Sequence, residues 1–252
     1  AAIKGVTFPK AMRWGGKNMR FARPIRWMVA LLNDEVLPIN LEGIVASNIT
    51  RGHRFLGRNQ IEVFSIEDYF KQLSKNSVVL DQNVRKEAIK AQAEEVAKSL
   101  GGEVEIEDDL LEEITYLVEY PTAFYGEFNA DYVKLPKEVV TTPMKEHQRY
   151  FPVSKDGKLL PYFIAVRNGD KNGIETVKAG NEKVLEARLA DALFFYDEDI
   201  KKPLESFVEN LKTVVFQAKL GTVYDKTLRI EKLASDIINN LDEKEALNDT
   251  LR

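Results

Sequence analysis

Cysteine is missing altogether from the 252 residues. That excludes disulfides and thiolate metal sites, and it suits a reducing, cytoplasmic setting. Histidine is scarce as well: His53 and His147 are the only two. Neither lies at a ligand spacing such as HxxxH or HExxH, so no metal site is expected. The phosphate-cradling patterns GxxxxGK[ST] and GxGxxG do not occur, and there is no His-Asp doublet. Gly52-His53-Arg54-Phe55-Leu56-Gly57 holds two glycines, but no helix pattern follows it directly. No apolar run approaches the ~18 residues that span a bilayer, and residues 1–20 lack the apolar centre of a signal peptide. The longest run, Trp27 to Leu32, suits a strand.

Acidic residues are missing at the start. None precedes Asp34, yet Lys4, Lys10, Arg13, Lys17, Arg20, Arg23 and Arg26 all occur there. The reverse holds further on, where Glu103, Glu105, Glu107, Asp108, Asp109, Glu112 and Glu113 crowd together. The formal net charge of -4 hides this asymmetry. One reading is a cationic end that faces a polyanion. The other is that long cationic side chains cover a strand edge or meet the acidic helix.

Hydrophobic periodicity predicts a mixed architecture. Phe21 to Leu32 is apolar on both faces and reads as a central, doubly covered strand. Asn33-Asp34-Glu35 is a turn signal, with a neighbouring strand over Val36 to Leu41. Ser65 caps a short helix to Lys75, and Asp81 opens a longer one that ends at Gly101-Gly102. Asp108 to Val118 reads as an acidic helix with Leu110, Leu111, Ile114 and Leu117 inward. Pro121 to Phe128 is extended, and Pro136 opens a helix. Tyr150–Val153 and Leu159–Val166 flank Asp156-Gly157, a hairpin signal. From Asp170 the pattern turns helical. Asn181 reads as the cap of a helix whose apolar face includes Leu185, Leu189, Ala192, Leu193 and Tyr196. Thr222 and Asp225 resemble a capping box. The helix after them has an apolar face of Ile230, Leu233, Ala234, Ile237, Ile238 and Leu241. Strands and helices without a regular βαβ repeat predict α+β with a mixed or antiparallel sheet, followed by a mostly helical region. Both ends read as internal to a longer chain: there is no initiator Met, and Arg252 falls within a polar helical pattern that opens near Asp242.

Basic and aromatic residues interleave in three segments: Phe8 to Gly15, Arg51 to Phe55, and Lys145 to Phe151. Cations neutralise phosphates and rings stack on unpaired bases. Lys10, Arg13, Lys17, Arg20, Arg23, Arg51, Arg54, Lys145 and Arg149 are therefore the RNA-contact candidates. The alternative is that Trp14, Phe55 and Phe151 are core residues flanked by solvated cations. No catalytic residue is expected. His53, Glu146 and His147 are the only candidates for hydrolysis, and adjacent side chains such as Glu146 and His147 diverge on a strand. Arg188 and Asp191, on the flank of the 181–196 helix, are subunit-interface candidates. Their i,i+3 spacing also allows a simple intrahelical pair.

Several strings resemble one family. They are Phe8 to Gly15 (FPKAMRWG), Phe21 to Leu31 (FARPIRWMVAL), Gly52 to Leu56 (GHRFL), Met144 to Val153 (MKEHQRYFPV), Gly180 to Tyr196 (GNEKVLEARLADALFFY) and Val215 to Thr227 (VFQAKLGTVYDKT). Together they resemble the beta subunit of the two-subunit bacterial glycyl-tRNA synthetase, along essentially the whole chain. The resemblance implies a non-catalytic part of a class II synthetase that lacks the ATP motifs. The alpha subunit would hold glycine, ATP and magnesium, so no cofactor is implied here. The implied partners are that alpha subunit, in an α2β2 assembly, and tRNA(Gly). The implied domains are an editing-type α+β domain over 1–172, like that of the phenylalanyl-tRNA synthetase beta subunit, a helical segment over 173–212, and the start of an HD-like helical domain over 213–252. Hydrolytic editing of mischarged tRNA and a purely structural scaffold stay open as alternatives.

Overall fold

The computed structural model describes residues 2–16 and 18–240. Residues 1–192 and 193–252 form two compact units.

The first unit begins with α1 (Ala2–Gly5) and a set of very short strands. These are β1 (Met28–Val29), β2 (Leu31–Leu32), β3 (Glu35–Val36), β4 (Asn40–Leu41), β5 (Ile44–Ser47), β6 (Ile49–Thr50) and β7 (Ile61–Glu62). The expected long central strand over Phe21 to Leu32 does not form. Only β1 and β2 remain of it, and β1 lies at the edge of a three-stranded sheet ordered β1-β5-β4. β2 turns back on β3 through Asn33, whose φ is +55°. Trp27 and Leu32 are exposed where burial on both faces was expected.

Next come α2 (Ile66–Lys75) and α3 (Gln82–Ser99), each opened by its expected cap. The Ser65 hydroxyl accepts from the Asp68 N–H, and the Asp81 carboxylate accepts from the Asn83 N–H. Such caps satisfy N–H groups that have no partner within the helix. β8 (Glu103–Val104), α4 (Asp108–Leu117), β9 (Pro121–Glu127), a 3-10 turn (Ala130–Lys134) and α5 (Lys137–Thr142) follow. A π-turn (Pro143–Gln148) leads into β10 (Phe151–Lys155) and β11 (Lys158–Asn168). α6 (Ile174–Asp199) runs into the second unit.

The main sheet is antiparallel, ordered β8-β10-β11-β9. Its central hairpin closes at Asp156 and Gly157, both at positive φ as a tight turn requires. One face packs on α3 and α4. Ile89, Ala93, Ala97, Leu110, Leu111 and Ile114 meet Phe151, Val153 and Ile164 there. Leu117, expected inward, is exposed. The helix stops at Leu117, and the extended backbone of Val118 turns that residue inward in its place. On the other face Phe163, fully buried, stacks on Tyr150 with ring centroids 4.4 Å apart.

β9 is an edge strand, and two of its outward N–H groups are covered by side chains. Ala123 donates to the Gln92 amide and Glu127 to the Glu182 carboxylate, each at 2.9 Å. Blocking donors in this way removes a template for pairing with another chain. It also ties α3 and α6 to the sheet. α6 opens at Ile174, seven residues before the expected cap Asn181. Asn181 lies inside the helix. Its amide donates to the Val177 carbonyl, and its oxygen accepts from the Tyr150 hydroxyl at 2.5 Å.

The second unit holds a 3-10 segment (Leu204–Thr213), the hairpin β12 (Val215–Gln217) with β13 (Gly221–Thr222), and α7 (Val223–Asn240). The expected capping pair is present. Thr222 N–H donates to Asp225 at 2.7 Å, and Asp225 N–H donates to the Thr222 hydroxyl at 3.2 Å. Ile230, Leu233 and Ile237, on the apolar face read from the sequence, are exposed. Leu241 and the polar pattern from Asp242 lie outside the described residues.

A methyl group on Gly126 would come within 2.2 Å of the Phe163 ring. That ring is sandwiched and cannot move aside. Gly126→Ala should destabilise the protein by about 1–3 kcal/mol, read as a lower urea midpoint at unchanged slope.

Candidate nucleic-acid interface

The loop from Arg51 to Arg58 is built around Asn76, the residue that caps the C-terminus of α2. Asn76 is buried. Its carbonyl accepts from the His53 N–H at 2.9 Å, and its side-chain oxygen accepts from the Arg58 N–H at 3.1 Å. Its amide donates back to Gln72 at 2.8 Å. Gly52 and Gly57 make this closeness possible. A Cβ on Gly52 would lie 2.5 Å from the Asn76 Cβ, and one on Gly57 would lie 2.6 Å from the Asn76 carbonyl oxygen. His53 points inward and is buried. Its Nδ1 accepts from the N–H groups of Phe55 and Leu56, both at 3.3 Å. A neutral ring bonded in this way carries its proton on Nε2, and that buried Nε2–H has no partner among the described residues.

Arg54 and Phe55, between the glycines, point the other way. Phe55 is 81 % exposed, with the Arg54 guanidinium 5.7 Å from its ring centroid. Arg51 lies 4.8 Å over the Trp27 ring, which is itself 42 % exposed. Of the three rings weighed as core, Phe151 is fully buried, Trp14 is half-buried, and Phe55 is at the surface.

The first basic segment folds on itself. Met12 and Phe21 exchange backbone hydrogen bonds, and Phe8 meets Phe21 edge-on at 4.7 Å. Glu42 accepts from the Asn18 and Met19 N–H groups and holds this loop. Lys10, Arg13, Arg20 and Arg23 are exposed. Among the described residues they make no ion pair. Lys17 lies outside the described residues.

The third segment is different. Lys145 donates to Glu107 at 2.6 Å, and Arg149 donates to Glu113 at 2.8 Å. Lys137 pairs with Glu105 at 2.6 Å. The acidic run thus finds its partners in residues 137–149 and, among the described residues, not in the cations that precede Asp34. Arg149 itself sits at φ +57° as the C-terminal cap of the π-turn, with its guanidinium on the Glu146 carbonyl at 2.6 Å. Burial tends to raise the Glu105 carboxyl, but hydrogen bonds from Lys137 and Ser154 outweigh it and hold the group below its ordinary value. Among the described residues no hydrogen bond, ion pair or ring contact joins this segment to the other two, whereas Arg51 of the second segment lies over Trp27, the residue after Arg26.

The hydrolysis candidates do not converge. His53 is buried in its loop, while Glu146 and His147 are exposed on the π-turn. Beside that turn a small cleft is lined by Phe124, Arg149, Tyr150, Arg167 and Asn181. It holds two guanidinium groups but no histidine. Arg188 and Asp191 are both exposed on α6, and they form no ion pair with each other. Val184 and Phe194, on the same helix, are exposed apolar residues that the charge-based choice of interface candidates overlooked. Among the described residues no three His, Cys, Asp or Glu side chains form a metal site, and no helix is long and apolar enough to cross a membrane.

The geometry defines a mixed α/β chain in which Lys10, Arg13, Arg20 and Arg23 are exposed without an ion pair among the described residues, and a basic loop holds one ring, Phe55, in solvent. Comparison with known families goes further. Residues 1–251 match the family described as glycyl-tRNA synthetase beta subunit, and the chain belongs to that family. It is 72% identical over 250 residues to the glycine–tRNA ligase beta subunit of Clostridioides difficile (strain 630), covering 99% of this chain and 36% of the relative. It is 51% identical over 243 residues to that of Moorella thermoacetica, covering 96% of this chain and 35% of the relative. The Natranaerobius thermophilus beta subunit is 48% identical over 254 residues, covering 99% and 37%. The chain therefore spans about a third of the length of the curated relatives it matches.

Two measurements test this geometry. Asn76→Ala removes an acceptor and a helix cap at once and should cost about 1–3 kcal/mol, with faster amide exchange at His53 and Arg58 than elsewhere. The Tyr150 hydroxyl is pushed up to about 12 by burial. An unfolded tyrosine ionises near 10, so the stability linked to Tyr150 is full below about pH 10 and is lost as pH rises toward 12. Tyr150→Phe should flatten the fall of stability over that window, leaving a part to Tyr132, which is also raised to about 12 by burial and by Glu186.

Proposed function

We propose that this chain acts as part of a glycine–tRNA ligase beta subunit, supporting ATP-dependent charging of tRNA(Gly) by contacting the tRNA. One observation carries the reading beyond family membership. The exposed Lys10, Arg13, Arg20 and Arg23 have no carboxylate partner among the described residues, while the cations of residues 137–149 are matched by the acidic run. A protein that pairs its cations in one place and leaves a cluster bare in another presents the bare cluster to a polyanion.

The chemistry belongs to the alpha subunit in this reading, with glycine, ATP and magnesium held there in a class II active site. The working assembly is an α2β2 heterotetramer in the cytoplasm. The scattered positions of His53, Glu146 and His147 support a non-catalytic role and weigh against hydrolytic editing. The antiparallel sheet with helices packed on it is in keeping with an editing-type ancestry for residues 1–172, like that of the phenylalanyl-tRNA synthetase beta subunit. Residues 173–212 are the helical segment and 213–252 the opening of an HD-like helical domain, a reading supported by the open apolar stripe of α7. The exposed flank of α6 around Arg188 and Asp191 is the candidate contact with the alpha subunit.

The double variant Arg13→Glu, Arg20→Glu in the assembled enzyme is expected to weaken tRNA(Gly) binding about tenfold or more and to reduce the slope of log affinity against log salt by about 2. Charging at low tRNA should fall in parallel. Wild-type affinity and charging in this variant would remove the reading. For the interface, Arg188→Ala should shift the alpha–beta assembly toward free subunits on size exclusion, and an unchanged profile counts against Arg188 as a required contact.

A further inference from the structure

We propose that the 51–58 loop is a base-stacking element, in which the exposed Phe55 ring, with the Arg54 guanidinium beside it, takes an unpaired nucleotide of the tRNA. The inference rests on the reading that this chain contacts tRNA, and it assigns to this loop a contact different in kind from phosphate neutralisation.

The first argument is the combination of order and exposure. An apolar ring at 81 % exposure on a slack loop would mean little. This loop is not slack. It is clasped to Asn76 through His53 and Arg58, and its two glycines approach Asn76 more closely than any other residue type would allow. His53 occupies the core beneath and accepts the Phe55 N–H, so the backbone that carries the ring is fixed. Four neighbouring residues are thus arranged to keep one phenylalanine out of the core. A ring held rigidly in water has already given up the freedom that binding would otherwise cost it.

The second argument is charge. Arg51, Arg54 and Arg58 lie in this stretch, and no acidic residue occurs between Glu42 and Glu62. The surface therefore suits a polyanion. Aromatic rings and guanidinium planes are also the groups on which splayed bases stack. A base inside a duplex offers no free face, so the nucleotide must be an unpaired one. Arg51 of the loop lies over Trp27, the residue that follows Arg26 in the cationic stretch.

The test uses the full-length beta subunit assembled with its alpha subunit, and tRNA(Gly). Phe55→Ala should weaken binding about tenfold, the scale of one base stacked on a ring. The salt slope should not change, because the ring neutralises no phosphate. Melting temperature and assembly should also stay as they are, since the side chain is solvent-exposed. Phe55→Tyr should bind like the parent, and Phe55→Leu should behave like Phe55→Ala. The inference is overturned if Phe55→Ala binds and is charged like the parent, or if Phe55→Leu keeps full affinity. It is also overturned if Phe55→Ala loosens subunit assembly while leaving tRNA affinity intact, which would make the ring a protein contact. The Arg13→Glu, Arg20→Glu variant in the same assay separates the two levels. If it weakens binding and the Phe55 variants do not, the stacking element fails alone; if neither does, the tRNA reading fails with it.

Discussion

β11 is the strand on which the first unit depends. Its ladder with β9 runs unbroken from Tyr162↔Glu127 to Asn168↔Pro121, and its other edge takes β10. Because side chains alternate along a strand, one face places Ile164 among α3 and α4, and the other places Phe163 beneath Tyr150. A shift of one residue would exchange the two sets. The register is pinned where Gly126 leaves room for the Phe163 ring, and at the strand's far end where Asn168 accepts from the Glu119 and Tyr120 N–H groups. Tyr150 then carries the constraint outward through its hydroxyl to Asn181, and so positions α6.

Charge is partitioned on this frame. The acidic stretch from Glu105 to Glu113 faces the segment from Lys137 to Arg149, and three ion pairs form between them. Each is partly exposed and contributes at most about 1 kcal/mol. Their larger consequence is electrostatic. They match the cations of one basic segment, whereas Lys10, Arg13, Arg20 and Arg23 have no ion pair among the described residues. The overall net charge, which is negative, says nothing about such a division.

The loop around His53 shows how burial and exposure are coupled. Asn76, Gly52 and Gly57 draw the backbone so close that only His53 fits inward, and the neighbouring Arg54 and Phe55 are turned to solvent. The buried Nε2–H without a partner among the described residues has a cost of about 1–3 kcal/mol. Local expense of this kind is common where a loop is shaped for something other than stability.

Sequence alone determined the features that are settled within a few residues. Ser65, Asp81 and the Thr222–Asp225 pair announced helix starts, because a cap acts on N–H groups two or three positions away. Asp156-Gly157 announced the hairpin, because positive φ is a property of those two residues. The quoted strings carried the family, since they recur as ordered blocks along the chain. Tertiary structure decided the rest. The apolar run from Phe21 to Leu32 looks like a buried strand, but burial needs a covering layer, and Trp27 and Leu32 are exposed. Asn181 has the chemistry of a cap, yet its oxygen is engaged by Tyr150, 31 residues away. The three basic segments are alike in composition. Which of them stays free depends on where the acidic helix packs, and which ring faces water depends on what Asn76 holds beneath it. Both are matters of distance in space rather than along the chain.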